Sequence, residues 1–360
     1  MRVFSLGALL SRQSTSLLGL DISASSMKLV ELRPARRDEW VLERYAVVPL
    51  KPGWVTDGGI ENFVEVAEAV QQLVRQSGVR SRQVAMALPS SAVITKRIVL
   101  PRGLSDAELE LLVQGEANQY IPFPMDEVSL DFCVLGPCVA SASDVDVLIA
   151  AARREKVQDM QGLAEAAGLK PVAVDVASLA ARLAARRLLP SLPNLPPQPV
   201  VALFELGEST TRLQVLQDDE LLYERDQSFG DSVLVSLLAS EVAGGQEEAA
   251  RRVCQADWPD ERHGEALRSY AQSAAQELVR ALQIFYASTS HAKVDHVLLS
   301  GMTATAPGLL ASLRSLTGAA CSAVNPFSGM ALGASVQPRQ LKRCRASLLT
   351  ACGLALRRPA

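Results

Sequence analysis

Residues 18–32 read LGLDISASSMKLVEL: a strand that ends in Asp21, a turn of small and hydroxyl-bearing residues, and a returning strand that carries Lys28. Residues 204–211, FELGESTT, repeat the order of acid, small residue and hydroxyls, with Glu205 as the acid. In such a hairpin, backbone N–H groups and hydroxyls converge on an anion, and the acid can hold water or Mg²⁺ against phosphates. Two facing hairpins therefore predict a cleft that binds nucleotide phosphates from both sides.

A glycine turn follows the second hairpin in the sequence. Residues 297–304, VLLSGMTA, predict a buried strand that ends in this turn, before a helix that begins near Pro307. Because Gly301 has no side chain, a nucleoside can lie against the backbone there. A single hairpin of this kind is more often an ordinary turn, but two hairpins followed by the glycine turn favour a nucleotide site.

The strands around the two hairpins indicate an internal duplication. They are predicted at residues 17–22, 27–32 and 40–48, and again at 200–205, 212–216 and 220–225. Five prolines between residues 190 and 199 stiffen the chain and mark the main boundary between the two halves. The first half also contains a strand, a helix, two strands and a helix, which we interpret as an inserted α+β unit.

We therefore expect a two-domain α/β protein in five parts. They are a flexible leader at residues 1–15, a first domain at 16–91 and 169–195, the inserted unit at 92–168, a second domain at 196–335, and a C-terminal helix at 336–360 that packs back on the first domain.

Composition excludes several other classes of protein. The 360 residues are 48% hydrophobic with a net charge of −3, which argues against a disordered chain and against nucleic acid as a partner. Six cysteines without a C-x-x-C pair indicate reduced thiols in a reducing cytoplasm. No apolar run is long enough to span a bilayer. The tail after Gln337 is basic, which we interpret as a solvated helix end, with a contact to anionic lipid as the alternative.

Seven segments resemble those of the PilM family of type IV pilus assembly proteins, an FtsA-like branch of the actin and sugar kinase superfamily. They are LGLDISASSMKLVEL (18–32), PSSAVITKRIV (89–99), GEANQYIPFPMDEVSLDF (115–132), DVLIAAARRE (146–155), LLSGMTATAPGL (298–309), NPFSGMAL (325–332) and ACGLALR (351–357). The resemblance covers nearly the whole chain, and YIPFPMDEVSLDF is especially specific. It implies an actin-like, ribonuclease H-like two-domain fold, in which the inserted unit replaces the subdomain that actin uses for polymer contacts.

The same resemblance implies ATP and Mg²⁺ as ligands and gives roles to the matching positions. The implied residues are Ser25, Ser26, Lys28, Gly207, Ser209 and Thr210 for phosphate, Asp21 and Glu205 for the metal, Gly230 for the ribose and Gly301 for the nucleoside. Two departures from the family pattern are expected to weaken binding. Glu205 is one methylene longer than the usual aspartate, and Met302 projects a side chain where the family has glycine. Glu205 is the only candidate within the loops for a general base, and a contact with metal-bound water is its simpler interpretation, so we expect little or no ATP hydrolysis.

Proteins of this family bind the short cytoplasmic N-terminal segment of the membrane protein PilN beside the inserted unit. The resemblance therefore implies a cytoplasmic adaptor at the inner membrane, held there indirectly through PilN and linked to a pilus motor ATPase or other cytoplasmic pilus proteins. Residues 121–125 are either a hydrophobic wall for such a peptide or a turn packed on the inserted unit's own core. Two alternatives stay open: a small-molecule kinase or active ATPase on the same fold, and a membrane-tethered filament protein of the division type.

Overall fold

A computed structural model describes residues 16–35, 39–56, 59–138, 140–218, 220–258 and 264–357. The predicted leader at 1–15 and the end of the basic tail, 358–360, lie outside these ranges. The strands are β1 (Leu17–Ile22), β2 (Ser26–Pro34), β3 (Trp40–Pro49), β4 (Val55–Thr56), β5 (Gly59–Ile60), β6 (Gln83–Leu88), β7 (Val93–Pro101), β8 (Val128–Pro137), β9 (Asp144–Arg153), β10 (Lys170–Val176), β11 (Val200–Leu206), β12 (Thr211–Gln217), β13 (Glu220–Gln227), β14 (His296–Gly301), β15 (Ala320–Ala323) and β16 (Ala331–Leu332). The helices are α1 (Phe63–Ser77), α2 (Asp106–Tyr120), α3 (Arg154–Ala166), α4 (Ala177–Arg186), α5 (Asp231–Ala239), α6 (Gly245–Cys254), α7 (Gly264–Ser288), α8 (Leu309–Thr317), α9 (Pro338–Cys344) and α10 (Leu349–Ala355).

Two mixed sheets of the same design form the two halves of the chain. The first has the strand order β10-β6-β1-β2-β3-β16, and the second has β13-β12-β11-β14-β15. In each sheet a three-stranded antiparallel meander is extended by two parallel strands beside its first strand. This shared order confirms the predicted duplication. The additional strand β16 pairs with β3 and attaches the second half of the chain to the first sheet.

The central strands β1 and β11 are apolar and buried along almost their whole length, as expected for strands covered on both faces. In each strand the less buried position is the acid near its carboxyl end, Asp21 in β1 and Glu205 in β11. The two acids therefore mark the edges of the sheets where a ligand would reach the strands.

The inserted unit has a sheet and a core of its own. Its strands pair in the order β7-β9-β8, and α2, which begins with a capping box between Ser105 and Glu108, packs against them through Val113. Helix α3, predicted as part of this unit, instead buries Val157 and Leu163 in the core of the first sheet. Its apolar stripe faces α1 and β6, because β9 leads the chain back to that sheet.

Helices α4 and α10 pack against each other next to the first sheet, and α10 is buried on all sides. Glycines permit this close packing. A Cβ on Gly19 of β1 would overlap the carbonyl oxygen of Ala351, and a Cβ on Gly353 would overlap that of Ala180. The backbones of β1, α10 and α4 are therefore in direct contact, which sets the position of the C-terminal segment.

The basic tail is not simply a solvated helix end. The Arg357 side chain, 15% exposed, donates to the carboxylate of Asp175, which is 1% exposed at the end of β10. The six cysteines are all free, as expected for reduced thiols. Among the helices of the described ranges, none combines the length and apolar character needed to cross a bilayer.

Candidate functional site

A cleft of about 390 Å³ opens between the two sheets, at the carboxyl ends of their central strands β1 and β11. It brings most of the predicted site residues together. The predicted residues that line it are Asp21, Ser25, Ser26, Lys28, Glu205, Gly207, Thr210 and Gly301. Ser209 belongs to the same turn as Thr210, and Gly230 lies behind that turn. The three segments singled out in the sequence thus meet at one place.

The first hairpin is held closed by its own hydrogen bonds. The N–H of Ser23 donates to the carbonyl of Ser26 at 2.9 Å and closes the turn. Lys28 stands directly opposite Asp21 across β1 and β2, and its Nζ lies 3.2 Å from Asp21 Oδ2 and 2.9 Å from Ser23 Oγ. With only 7% of Lys28 exposed, its charge is directed at the turn. A phosphate entering here would meet an oriented ammonium group.

The second hairpin is supported from behind by the start of α5. The N–H groups of Asp231 and Ser232 donate to the carbonyls of Gly207 and Glu208 at 2.8 and 2.9 Å. A Cβ on Gly230 would overlap both of these carbonyl oxygens, so glycine is required there for the start of α5 to approach the second hairpin. Gly230 therefore has a structural reason to be glycine, and its implied contact with a ribose stays a prediction.

The third segment packs on the second hairpin. Gly301 has φ +117°, a region that favours glycine, and a Cβ there would overlap the carbonyl oxygen of Leu206. Met302, expected to project into the nucleoside site, is 5% exposed and belongs to the core of the second sheet, although it also touches the cleft. Most of its side chain is therefore used in packing.

The equivalence of the two hairpins extends further than was predicted from the sequence. Asp21 pairs with Lys28 across β1 and β2, and Glu205 pairs with Arg212 across β11 and β12 at the same spacing. Arg212 lines the cleft but was not singled out. The signal was available, because each hairpin has an acid and a cation at matched positions.

The pKa of the Glu205 carboxyl group is raised towards neutral pH. Burial raises its pKa from 4.5 to about 7; the charge of Arg212 opposes this rise and that of Asp21 adds to it. The Thr350 hydroxyl, which comes from α10, donates to Glu205 Oε2 at 3.4 Å. The Glu205 carboxyl therefore changes its charge near neutral pH, and a cation bound beside it would favour the ionised form.

A second carboxyl with a raised pKa, Asp231, lines the cleft behind the second hairpin and was not predicted from the sequence. Asp231 accepts a hydrogen bond from Thr303 Oγ1 at 2.5 Å, and Tyr270 OH donates to that same hydroxyl at 2.7 Å. Burial raises the pKa of Asp231 from 3.8 to about 7, while the hydrogen bonding by Thr303 and the charge of Lys28 lower it. These hydrogen bonds connect α5, the glycine turn and α7. The three residues that form them come into contact only in the folded structure.

The donor set suits Mg²⁺ bound together with phosphate. Across the described part of the chain, no three His, Cys, Asp or Glu side chains come together as a metal cage. Asp21 and Glu205 are near enough for one charge to act on the other. Because Mg²⁺ in phosphate sites usually takes one or two carboxylates plus water and substrate oxygens, the two acids fit an ion that arrives with a nucleotide.

A family model described as "Type IV pilus assembly protein PilM" matches residues 19–359. Among solved structures, the chain is similar to one titled "PilM-PilN type IV pilus biogenesis complex", with 29% identity over 96% of this chain and 99% of that chain, and a TM-score of 0.77. It is also similar to the ethanolamine utilization protein EutJ from Carboxydothermus hydrogenoformans, with 14% identity over 99% of this chain and 94% of that one, and a TM-score of 0.54. The second likeness concerns the fold alone.

Proposed function

The chain belongs to the PilM family of type IV pilus assembly proteins and has the actin-like fold, and from this premise we propose that it is an adaptor that binds Mg-ATP and a membrane partner. The observation that carries the nucleotide proposal is the duplicated hairpin. Two turns, each with an acid opposite a cation and hydroxyls between them, point into one cleft between the sheets. This combination of donors and charges suits a polyphosphate bound together with its metal ion.

In this proposal the chain's own groups bind and orient the phosphates. Lys28 provides a positive charge at the first turn together with the hydroxyls of Ser25 and Ser26, and Gly207 with the Ser209 and Thr210 hydroxyls does so at the second. Asp21 and Glu205 hold Mg²⁺ through oxygen atoms, and Gly301 leaves room for the nucleoside. A bound Mg²⁺ would neutralise phosphate charge, which matters because the carboxyls lining the cleft outnumber its cations.

The first alternative, an active ATPase, has one observation in its favour. A carboxyl with a pKa near 7, as at Glu205, has the proton affinity of a general base at neutral pH. Our proposal instead uses Glu205 for the metal and expects little turnover. Phosphate release by the wild type and by Glu205→Gln separates the two, because steady turnover that the substitution abolishes would support the enzyme.

The proposed membrane partner is the cytoplasmic N-terminal peptide of PilN, since the relative with 29% identity was solved as a complex with PilN. Binding would hold the protein at the cytoplasmic face of the inner membrane, with a motor ATPase or another pilus protein on its other side. Within the predicted wall at 121–125, Ile121 is buried in the core of the inserted unit, whereas Phe123 stays partly exposed under the Arg153 guanidinium at 4.0 Å. Phe123 and Met125, both partly exposed, and the exposed Pro122 and Pro124 are therefore the apolar groups of this segment that a peptide could still reach.

Calorimetric titration tests both ligands. The purified protein is titrated with a synthetic peptide of the cognate PilN N-terminus, with and without Mg-ATP, and a scrambled peptide serves as control. We expect binding of the peptide and of Mg-ATP. A folded sample that binds neither would refute the proposal, and binding of the peptide alone would leave a scaffold whose nucleotide cleft has lost its ligand.

A further inference from the structure

Arg212 occupies in the second hairpin the position that Lys28 occupies in the first. Each stands directly opposite the acid of its central strand, and each lines the cleft. Lys28 keeps its ammonium on Asp21 and on the turn. Arg212 differs, because its guanidinium is turned to the next strand, β13.

The present partners of Arg212 are carboxylates. Its Nε and Nη2 donate to the two oxygens of Asp226 at 2.7 Å each, and Glu224 Oε1 lies 3.5 Å from Nε. The charge of Glu205 acts on it from the other side. One guanidinium thus interacts with three carboxylates. Its pair with Asp226 is partly open to water, since 41% of the Asp226 side chain is exposed. Because Asp226 is exposed, water can solvate its carboxylate once Arg212 leaves it, so the exchange does not strand a buried charge.

Phosphate is a suitable replacement for Asp226. A guanidinium donates a planar pair of N–H groups that fits phosphate as well as carboxylate. Lys28 and Arg212 are the cations that line the cleft, against Asp21, Glu205, Asp226 and Asp231. A polyphosphate bound here needs both cations to offset its own charge.

We propose that Arg212 is a second cationic phosphate ligand. When the nucleotide binds, the Arg212 guanidinium moves from Asp226 to one of its phosphates. This inference rests on the proposed nucleotide site and adds to it a residue that moves on binding.

The exchange reaches helix α4 through a second cavity. Arg212, Glu224 and Asp226 also line a space of about 270 Å³, whose other wall includes Thr95 of β7 and Ser178 of α4. A charge acts across this space, between Glu224 of β13 and Arg182 of α4. Once Arg212 turns to phosphate, Glu224 loses its cation on the cleft side and Arg182 is left to offset its charge. Nucleotide binding should therefore strengthen the contact of β13 with α4.

Calorimetry of Mg-ATP binding to four proteins tests the ligand role. They are the wild type, Arg212→Gln, Asp226→Asn and the double variant. Arg33→Gln is the matched control, because Arg33 also pairs with a carboxylate on the neighbouring strand, Glu43 at 2.6 Å, but at the far end of β2. We expect Arg212→Gln to weaken binding about tenfold or more, since charge-assisted hydrogen bonds to phosphate are lost, and Arg33→Gln to leave it unchanged.

The double variant separates partner exchange from a general charge effect. Asp226→Asn frees Arg212 from its present partner and should tighten Mg-ATP binding. If the gain acts through Arg212, it disappears in the Arg212→Gln background; a gain that persists there comes from the removed negative charge alone and overturns the exchange. Should Arg212→Gln fail to fold, Arg212→Lys, which keeps the charge but not the planar fork, is expected to bind Mg-ATP more weakly than the wild type.

The outcomes distinguish this inference from the proposed function. A folded wild type that does not bind Mg-ATP overturns both, whereas normal binding by Arg212→Gln overturns the role of Arg212 alone.

Hydrogen exchange gives the second readout. Mg-ATP should slow exchange in α4 and β13 of the wild type and have no such effect in Arg212→Gln, and an equal response of the two proteins would overturn the link to α4.

Discussion

The substitution Asp231→Asn tests whether the buried carboxyl behind the second hairpin is protonated at neutral pH. Burial raises the pKa of Asp231 from 3.8 to about 7, although the Thr303 hydroxyl donates to it and opposes the rise. Asparagine retains a side-chain oxygen that accepts this bond but cannot ionise. The variant therefore removes the titration and keeps the link to the glycine turn.

The expected pH dependence follows from the direction of the shift. A carboxyl whose pKa rises on folding binds more protons in the folded state than in the unfolded one. Stability therefore falls as the pH rises from the unfolded pKa, 3.8, towards the folded value of about 7, and becomes constant above it. At about 1.4 kcal/mol per pKa unit, Asp231 alone lowers the free energy of unfolding by about 2 kcal/mol between roughly pH 5.5 and 8. Glu205, raised from 4.5 to about 7 mainly by burial, adds a similar decrease in the same window.

Urea unfolding at pH values from about 5.5 to 8, in EDTA and without nucleotide, measures this dependence. The wild type should lose about 4 kcal/mol across the window, Asp231→Asn about half as much, and Asp231→Asn with Glu205→Gln the least of the three. If the stability of Asp231→Asn falls as steeply as that of the wild type, the reasoning is refuted, because the carboxyl would then be ionised throughout.

Three further predictions concern the site and its support. Gly230→Ala should destabilise the protein by about 1–3 kcal/mol in urea unfolding, because its Cβ overlaps the carbonyl of Glu208 and forces α5 away from the second hairpin. Arg357→Gln should cost about 3 kcal/mol in the same assay, since it leaves the Asp175 carboxylate buried without its cation. Nucleotide binding should require Mg²⁺ and weaken as the pH falls below about 7, because Glu205 must lose its proton to hold the ion; calorimetry with ATP at several pH values, with and without EDTA, checks both parts.

The hairpins could be predicted because their defining residues lie within one short stretch each. Acid, turn and returning strand follow one another at residues 18–32 and 204–211, so local chemistry sufficed. Arg212 could have been predicted in the same way. It follows Glu205 at the spacing at which Lys28 follows Asp21, and the strand register confirms that both pairs face each other.

Other features depend on contacts between distant parts of the chain. Arg357 and Asp175 are 182 residues apart, so the basic tail gave no sign of a buried partner. Helix α3 has an apolar stripe that either neighbouring core could accept, and the sequence does not say which. The two-residue strand β16 has too little pattern to be recognised, and it exists because β3 offers it an open edge.

The position of α10 explains how the two halves of the chain share one site. Thr350 and Ser347, from the C-terminal segment, line the cleft beside Glu205 of the second sheet. That segment is in turn fixed against the first sheet, because Gly19 and Gly353 bring its backbone into contact with β1 and α4. A change of charge at Glu205 therefore acts on a helix that the first sheet holds. Since Glu205 and Arg212 face each other across β11 and β12, the same ligand would act on α10 through the acid and on β13 through the cation.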